Sequence, residues 1–233
     1  MDPLELIAAA SKKISPTFLN HQIGSDIESV LYHLIKRLRE DYEEFVIISF
    51  QDTYFSILKY LGSIYNDASE VFKSDHIVSI NPFLEEELNP DISIKTKDAE
   101  IIVGRIRGEL KAKSNTLFLV LGLDLYGVKY PKELPVLIPA LIRVFSKGEN
   151  TNLLIPFNTK IFPTSTTEMV NSFALNLFKF EVEATGGEIK RKLIIIRCPF
   201  VEYTLRSWYY TVTPARIVFL PSKLVPSQSN ERV

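Results

Sequence analysis

Short runs of β-branched and aromatic residues alternate with segments of helical periodicity, and this alternation constrains the fold more than any other feature of the sequence. The runs are too short for buried helices and predict strands at residues 45–50, 77–80, 116–121 and 152–156. Helical spacing predicts helices at residues 27–41, 56–65, 98–113 and 132–145. The alternation implies an α/β fold, in which helices cover both faces of a parallel sheet through right-handed crossovers.

The last part of the chain has strand patterns that follow one another without helices between them. Apolar residues alternate over 173–177 and then on the opposite phase over 178–182, which indicates one β-bulge. A turn is predicted at Gly186-Gly187, and further strand material lies at residues 192–198, 211–212 and 216–220. We therefore expect C-terminal antiparallel strands to extend the parallel core.

The domain organisation follows from the absence of any linker between these two parts. We expect a single domain over residues 1–225, in which residues 1–24 are an N-terminal extension, and a flexible polar tail at residues 226–233. Hydrophobic residues make up 46% of the 233 residues, so the chain can bury a large core without disulfides or metals.

Charge and cysteine content narrow the classes of partner and compartment. The 27 basic and 28 acidic residues give a net charge of −1, which does not favour nucleic acid or an anionic membrane surface. Cys198 is the single cysteine, cannot form an internal disulfide and lies in an apolar run typical of a buried, inert thiol. No apolar run reaches the roughly 18–20 residues that span a bilayer. We expect a cytoplasmic protein without a membrane segment.

A ligand site is expected at the carboxyl ends of the parallel strands, near the loop that follows the first strand. The first predicted strand is residues 45–50, so the loop consists of Gln51, Asp52, Thr53, Tyr54, Phe55 and Ser56. Residues 116–121 form the clearest buried strand, and its hydrophobic run ends in Leu121-Gly122-Leu123-Asp124.

Over residues 25–221, this order of elements resembles the RecA/KaiC-like branch of the P-loop ATPases. The resemblance includes a leading helix, the strand at 45–50 with its loop and helix, the run ending at Asp124, the late hairpin at Gly186-Gly187 and a last strand near 217–219. The chain looks most like an archaeal family of uncharacterised proteins that keep this fold and lose its motif. The resemblance implies a three-layer α/β architecture.

The expected loop departs from the ATPase motif G-x-x-x-x-G-K-[ST], in which glycines let backbone N–H groups surround phosphate, lysine neutralises it and the hydroxyl holds magnesium. Residues 50–56 contain neither Gly nor Lys. Tyr54 and Phe55 disfavour positive φ and would crowd a phosphate, and Asp52 would repel it. The sequence therefore predicts that conventional ATP binding is lost, with no cofactor and no catalytic residue assigned.

Acidic residues leave an enzyme alternative open. The resemblance puts Asp124 where an acid would orient magnesium and water, although an ordinary polar residue at a strand end is the competing interpretation. Residues Glu85, Glu86 and Glu87 follow the second strand, where KaiC-like ATPases carry catalytic acids, but such a run is also typical of a solvated loop. An NTPase with an unconventional nucleotide site would use these residues.

Other catalytic patterns are absent from the sequence. His21, His33 and His76 are isolated, with no H-E-x-x-H motif, no Cys/His pair at metal spacing and no G-x-S-x-G elbow. We assign no metal site.

Two groups of residues suggest binding surfaces. The first is basic and would suit nucleic acid, although the balanced overall charge favours solvated faces; it comprises Lys95, Lys97, Arg105, Arg107, Lys111, Lys113 and the run Lys190-Arg191-Lys192. The second has the residue types that dominate protein interfaces, although core packing would use the same ones; it comprises Tyr203, Arg206, Trp208, Tyr209 and Tyr210.

The sequence leads to one functional hypothesis with two alternatives. We expect a non-catalytic relative of RecA/KaiC-like ATPases that binds a protein or peptide partner or assembles as a homo-oligomer. Its late antiparallel strands could accept an added strand. The alternatives are the unconventional NTPase and a nucleic-acid-binding paralogue.

Overall fold

The structure is a computed structural model that describes residues 1–83, 89–110, 114–145, 150–185 and 188–222. Several predicted features lie outside the described residues. They are the acidic run Glu85–Glu87, the basic residues Lys111 and Lys113, the turn at Gly186-Gly187 and the tail at 226–233.

Ten strands form one sheet. Their bounds are β1 Thr17–His21, β2 Glu44–Phe50, β3 His76–Ile80, β4 Ile92–Ile94, β5 Thr116–Leu121, β6 Asn152–Asn158, β7 Asn176–Thr185, β8 Glu188–Arg197, β9 Ser207–Val212 and β10 Ile217–Pro221. The strand order is β10-β9-β8-β7-β1-β6-β5-β2-β3-β4. The strands from β1 to β7 pair in parallel, and β8, β9 and β10 add antiparallel pairs. The predicted parallel core with a C-terminal antiparallel extension is confirmed.

Helices cover both faces of the parallel part of the sheet. Their bounds are α1 Pro3–Lys13, α2 Ile27–Leu38, α3 Thr53–Gly62, α4 Ala68–Val71, α5 Ala99–Glu109, α6 Leu123–Lys129, α7 Leu134–Phe145 and α8 Thr164–Ser172. Helices α1 to α4 pack in one buried cluster, and helices α5 to α8 pack in a second cluster on the opposite face. The result is the predicted three-layer arrangement.

The central strands show why continuous apolar runs fold this way. Every residue of β2 is buried, and successive side chains enter opposite clusters. Phe45 and Ile47 belong to the first cluster, whereas Val46, Ile48 and Phe50 belong to the second. Because a central parallel strand is covered on both faces, an unbroken apolar run stabilises it better than an alternating pattern does.

The predicted N-terminal extension, residues 1–24, supplies α1 and β1 to the body of the fold. Strand β1 lies near the middle of the sheet, between β6 and β7. The sequence pattern did not predict it because Thr17, Asn20 and His21 interrupt the apolar residues. Tertiary hydrogen bonds stabilise these buried polar groups: the Asn176 side chain, for example, donates to Thr17 Oγ1 at 2.9 Å.

The predicted β-bulge is confirmed, because the register between β7 and β8 shifts between Leu177 and Phe178. Element boundaries are less well predicted. Helix α3 begins at Thr53 instead of residue 56, and α5 ends at Glu109 instead of extending to residue 113. Asp26 precedes α2 in a left-handed conformation and makes no side-chain cap.

Candidate functional site

The strand order creates a switch point between the neighbouring strands β1 and β6. The chain leaves β1 through α2 towards β2 on one side, and it leaves β6 through α8 towards β7 on the other side. Since α2 and α8 cover opposite faces, the carboxyl ends of β1 and β6 frame the crevice where open parallel sheets bind ligands.

The predicted loop at 51–56 follows β2, and β6 and β5 separate that strand from β1. The ligand site expected at residues 51–56 therefore lies away from the switch point, because the first strand of the chain is β1 and not β2.

The connection from β2 to α3 is a tight turn of two residues. Gln51 and Asp52 both have left-handed φ values, 51° and 56°. The Asp52 side chain is 4% exposed and accepts a hydrogen bond from the backbone N–H of Phe83. A two-residue turn contributes too few N–H groups to surround a phosphate in the way the eight-residue ATPase motif does.

Hydrogen bonds connect the start of α3 to the end of β2. Thr53 Oγ1 donates to the Phe50 carbonyl at 2.6 Å, and the Tyr54 N–H donates to Ser49 Oγ at 3.0 Å. A Cβ at Gly122, at the end of β5, would lie 2.6 Å from the same Phe50 oxygen.

The remaining side chains of the predicted loop pack in the first cluster or face solvent. The Tyr54 hydroxyl donates to the Phe72 carbonyl at 3.0 Å within the core. Phe55 is half-buried against the first cluster, and Ser56 is exposed.

The loop at the switch point, residues 22–26, contains one glycine and no lysine. Gly24 has a φ of 86°, and its carbonyl accepts from Arg191 Nε at 2.9 Å. The Ser25 carbonyl accepts from the Tyr210 hydroxyl at 2.5 Å. The antiparallel strands β8 and β9 therefore hold this loop. Sequence reasoning missed the loop because it did not identify β1.

A cavity of about 170 Å³, called here the α2 cavity, lies at the carboxyl ends of β1, β5 and β6 beside the first turn of α2. Its titratable lining residues are His21, Glu28 and Asp124. Burial raises the pKa of Glu28 and of Asp124, and nearby Asp26 and Asp124 add to the rise at Glu28. Burial also lowers the pKa of His21 to about 4. The cavity thus favours neutral side chains.

Backbone hydrogen bonds position Asp124 in the α2 cavity. Its carboxylate accepts from the N–H of Leu125 at 3.0 Å and from that of Asn158 at 3.2 Å. Within the described ranges, no three His, Cys, Asp or Glu side chains come together in a way that could hold a metal ion. His33 packs against the Tyr65 ring, and His76 lies near Glu44, so neither joins His21.

A larger cavity of about 400 Å³, called here the α8 cavity, lies on the opposite face at the start of α8. The polar groups of its lining come from Asn20 of β1, Lys160 after β6 and Lys179 of β7. Its apolar walls are formed by Phe162, Leu177 and Ile196. The sequence analysis did not assign any of these residues to a site, because only the strand order brings them together. Leu177 was used there only as part of the alternating segment 173–177 that predicts the bulge.

Comparison with known proteins identifies the architecture. No family model matches the sequence, and a search of curated proteins finds no significant match. Among solved structures, one similar protein is the uncharacterised PH0321 from Pyrococcus horikoshii, which was crystallised in complex with an unknown peptide. It superposes with a TM-score of 0.63 and 12% sequence identity, over 88% of this chain and 91% of PH0321. The KaiC-like protein PH0186 from Pyrococcus horikoshii OT3 superposes with a TM-score of 0.54 at 13% identity over 88% and 89%. The chain has a RecA/KaiC-like fold.

In this RecA/KaiC-like fold, the predicted aromatic surface divides between core and exterior. Tyr210 is 4% exposed and packs edge-on against Phe180, so its assignment to a partner surface is wrong. The face of β9 that carries Tyr210 joins the first buried cluster, and the Tyr210 hydroxyl donates to the Ser25 carbonyl.

The other members of the aromatic group remain at least partly accessible. Trp208 is half-buried against the first cluster, and the Tyr209 hydroxyl donates to Glu183 at 3.2 Å. Arg206 is exposed and stacks over the Tyr203 ring at 5.0 Å.

The predicted basic residues do not form one continuous surface. Arg105 and Arg107 are exposed on α5, and Arg105 pairs with Glu109. On β8, Lys190 pairs with Glu188, and Lys192 pairs with Glu183 at 2.8 Å. Neighbouring carboxylates therefore neutralise part of each group. Among the described residues, no helix combines the length and apolar character needed to cross a membrane.

Proposed function

We propose that this protein is a non-catalytic RecA/KaiC-like protein that binds an extended segment of a protein partner along β10. The observation that carries the proposal is the open edge of the sheet at β10. In this mode of recognition, the partner adds a strand whose main-chain hydrogen bonds supply affinity.

The backbone pairing indicates which groups of β10 face outward. The Thr213 N–H donates to the Arg216 carbonyl at 3.0 Å, which makes this the last hydrogen-bonded pair before the turn. Hydrogen-bonded and non-hydrogen-bonded pairs alternate along an antiparallel ladder. Ile217, Phe219 and Pro221 therefore occupy non-hydrogen-bonded pairs with β9. The N–H and C=O groups of Ile217 and Phe219 therefore point away from β9 in the plane of the sheet, where an added strand could pair with them.

The composition of β10 also supports an added strand. Natural sheet edges are commonly protected by charged residues or are very short. β10 has five residues, none of them charged, and Leu220 is 63% exposed. The opposite edge, β4, has only three residues. PH0321, which has the same fold, was crystallised with an unknown peptide.

Loss of conventional nucleotide binding is part of the proposal. The connection after β2 is a two-residue turn without glycine or lysine, and the loop at 22–26 contains one glycine, no lysine and the acidic Asp26. Neither segment offers the glycine-rich backbone and lysine that hold triphosphates. We expect calorimetric titration with ATP, ADP or GTP, with and without magnesium, to show no saturable heat. Saturable binding that requires Asp124 would favour the NTPase alternative.

The test of peptide binding begins with selection from a library of random peptides displayed on phage. The affinity of a selected peptide is then measured by fluorescence anisotropy for the wild type, Phe219→Pro and Phe219→Ala. Both variants lose the aromatic ring, and only Phe219→Pro also loses the outward N–H. We expect Phe219→Pro to bind about tenfold more weakly than Phe219→Ala, the free-energy equivalent of one good hydrogen bond.

Equal affinities of the two variants, or failure to select any peptide, would contradict binding along β10. Thermal melting shows whether each variant is folded, so a loss of binding is not confused with a loss of structure. A homo-oligomer formed through β10 would appear in light scattering as a mass that rises with concentration and returns to the monomer mass in Phe219→Pro.

A further inference from the structure

Among the residues that the structure describes, the α8 cavity combines three features that no element of the proposed function uses: a helix start without a side-chain cap, a cation without an ion-pair partner and a buried acceptor without a hydrogen-bond donor. It lies on the face of the sheet covered by α5 to α8, and no residue of β10 lines it. The cavity is therefore a second site, separate from the sheet edge.

The first feature is the start of α8, a helix of nine residues. Pro163 precedes it, and no side chain caps its first turn. Helix N-termini attract anions because their first N–H groups lack intrahelical acceptors and carry partial positive charge. Thr164 of this first turn lines the cavity.

The second feature is the charge balance of the lining. Lys160 is exposed at the mouth and has no ion-pair partner among the residues that the structure describes. Lys179 lies 2.5 Å from Glu181 Oε1 and is neutralised by it. One uncompensated positive charge suits a monoanion better than a phosphate dianion.

The third feature is Asn20, which is 2% exposed and lines the cavity. Its Nδ2 donates to Asn171 Oδ1 at 2.7 Å, and its Oδ1 has no hydrogen-bond partner in the described part of the chain. Buried acceptors are nearly always paired in folded proteins. This oxygen therefore points to a ligand that brings an N–H or O–H group.

We propose that the α8 cavity binds the C-terminal residue of a peptide. The carboxylate lies at the start of α8 beside Lys160. Asn171, the partner of Asn20, comes seven residues after Thr164, roughly 10 Å along the helix, so a backbone N–H further back along the peptide donates to Asn20 Oδ1. An apolar C-terminal side chain packs against the walls formed by Phe162, Leu177 and Ile196. A peptide C-terminus is the chemistry that carries an anion, an apolar side chain and, behind them, backbone N–H groups along one extended segment.

The test uses fluorescein-labelled Gly-Ser-Gly-Ser-Leu in two forms, one with a free C-terminal carboxylate and one amidated. Fluorescence anisotropy should show saturable binding of the free acid and about tenfold weaker binding of the amide. Lys160→Gln should weaken binding of the acid severalfold and leave the weak binding of the amide unchanged. The matched control is Lys132→Gln, an exposed lysine that does not line the cavity.

Several results would overturn the inference: no binding of the acid, equal binding of acid and amide, or no effect of Lys160→Gln. Inorganic phosphate that binds while the peptide acid does not would also overturn it. Asn20→Leu should abolish the sensitivity to N-methylation of the amide that faces Asn20, read out with peptides that are each N-methylated at one amide. Phe219→Pro should not change any of these affinities, so this test and that of the β10 site fail independently.

Discussion

Gly122 shows how a single residue permits a close approach between the end of β5 and the turn after β2. Its φ of 72° is one that side-chain-bearing residues rarely adopt, and an added Cβ would lie 2.6 Å from the Phe50 carbonyl oxygen. The turn after β2 therefore packs directly on the Gly122 backbone. Glycine is required at this position by the close approach.

We predict that Gly122→Ala lowers the free energy of unfolding by about 3 kcal/mol, because it adds left-handed strain to a steric clash. Urea denaturation measures the change. The matched control is Gly104→Ala, since Gly104 lies inside α5 with nothing within 4 Å of an added Cβ. That control should stabilise the protein by about 0.5–1 kcal/mol. A similar effect of both substitutions would show that the close approach is absent.

His21 gives a prediction on pH dependence. Burial lowers its pKa in the folded protein to about 4, whereas the unfolded chain has the ordinary value of 6.5. Between these values the unfolded state binds more protons, so stability rises with pH across this window and the contribution of His21 is lost on acidification. The shift corresponds to at most about 3 kcal/mol.

The measurement is the urea midpoint at several pH values for the wild type and His21→Gln. We expect the variant to lose less stability than the wild type between pH 6.5 and pH 4, because glutamine does not titrate. If the two proteins lose stability in parallel, His21 is not buried as a neutral side chain.

At the scale of secondary structure elements, β1 is held in the sheet by polar contacts. The Asn176 side chain is fully buried at the start of β7. Its Nδ2 lies 3.1 Å from the Ala10 carbonyl, 2.7 Å from the Ile14 carbonyl and 2.9 Å from Thr17 Oγ1. One amide thus connects the end of α1 and the start of β1 to β7.

We predict that Asn176→Ala costs about 3 kcal/mol of unfolding free energy, because it leaves buried acceptors without a donor. Ser172→Ala is the control, since the Ser172 hydroxyl donates to Met169 within an exposed turn of α8, and we expect a change within about 0.5 kcal/mol. Hydrogen exchange should additionally show faster exchange in β1 of Asn176→Ala. Unchanged protection of β1 would argue against the connecting role.

The success of sequence reasoning also differs between elements. β2 and β5 are predictable because each contains a long unbroken apolar run, residues 45–48 in β2 and 117–121 in β5, within a fully buried strand. β1 is equally central, but its polar residues Thr17 and Asn20, whose partners are distant in the sequence, leave only Phe18 and Leu19 as an apolar run. Missing this strand shifted the expected ligand site from the loop at 22–26 to the loop at 51–56. Asp124 was placed at the carboxyl end of the sheet correctly because it follows a predictable strand.

At the scale of the whole molecule, the antiparallel extension and the parallel core share one buried cluster. Leu193 of β8 and Tyr210 of β9 belong to the same cluster as Leu31 of α2 and Ile47 of β2. Hydrogen bonds from Arg191 and Tyr210 to the loop at 22–26 add polar contacts between the two parts. These contacts support the expectation that residues 1–225 behave as a single domain.

We predict that the two parts unfold together. Differential scanning calorimetry should show one transition whose calorimetric and van't Hoff enthalpies agree. The fluorescence of Trp208, in the extension, should report the same midpoint as far-UV circular dichroism, to which α1 to α8 contribute most. Two separate transitions would contradict the single-domain expectation.

The sequence by itself determined the fold class, the parallel core, the bulge and the antiparallel extension, because each depends on patterns among residues close together in the chain. Tertiary structure alone decided that β1 is central, that the switch point lies between β1 and β6, and that Tyr210 is internal. It also brought His21, Glu28 and Asp124 to one cavity and Asn20 and Lys160 to another. The physical reason is that strand order and the pairing of buried polar groups depend on contacts between distant residues, which local periodicity does not encode.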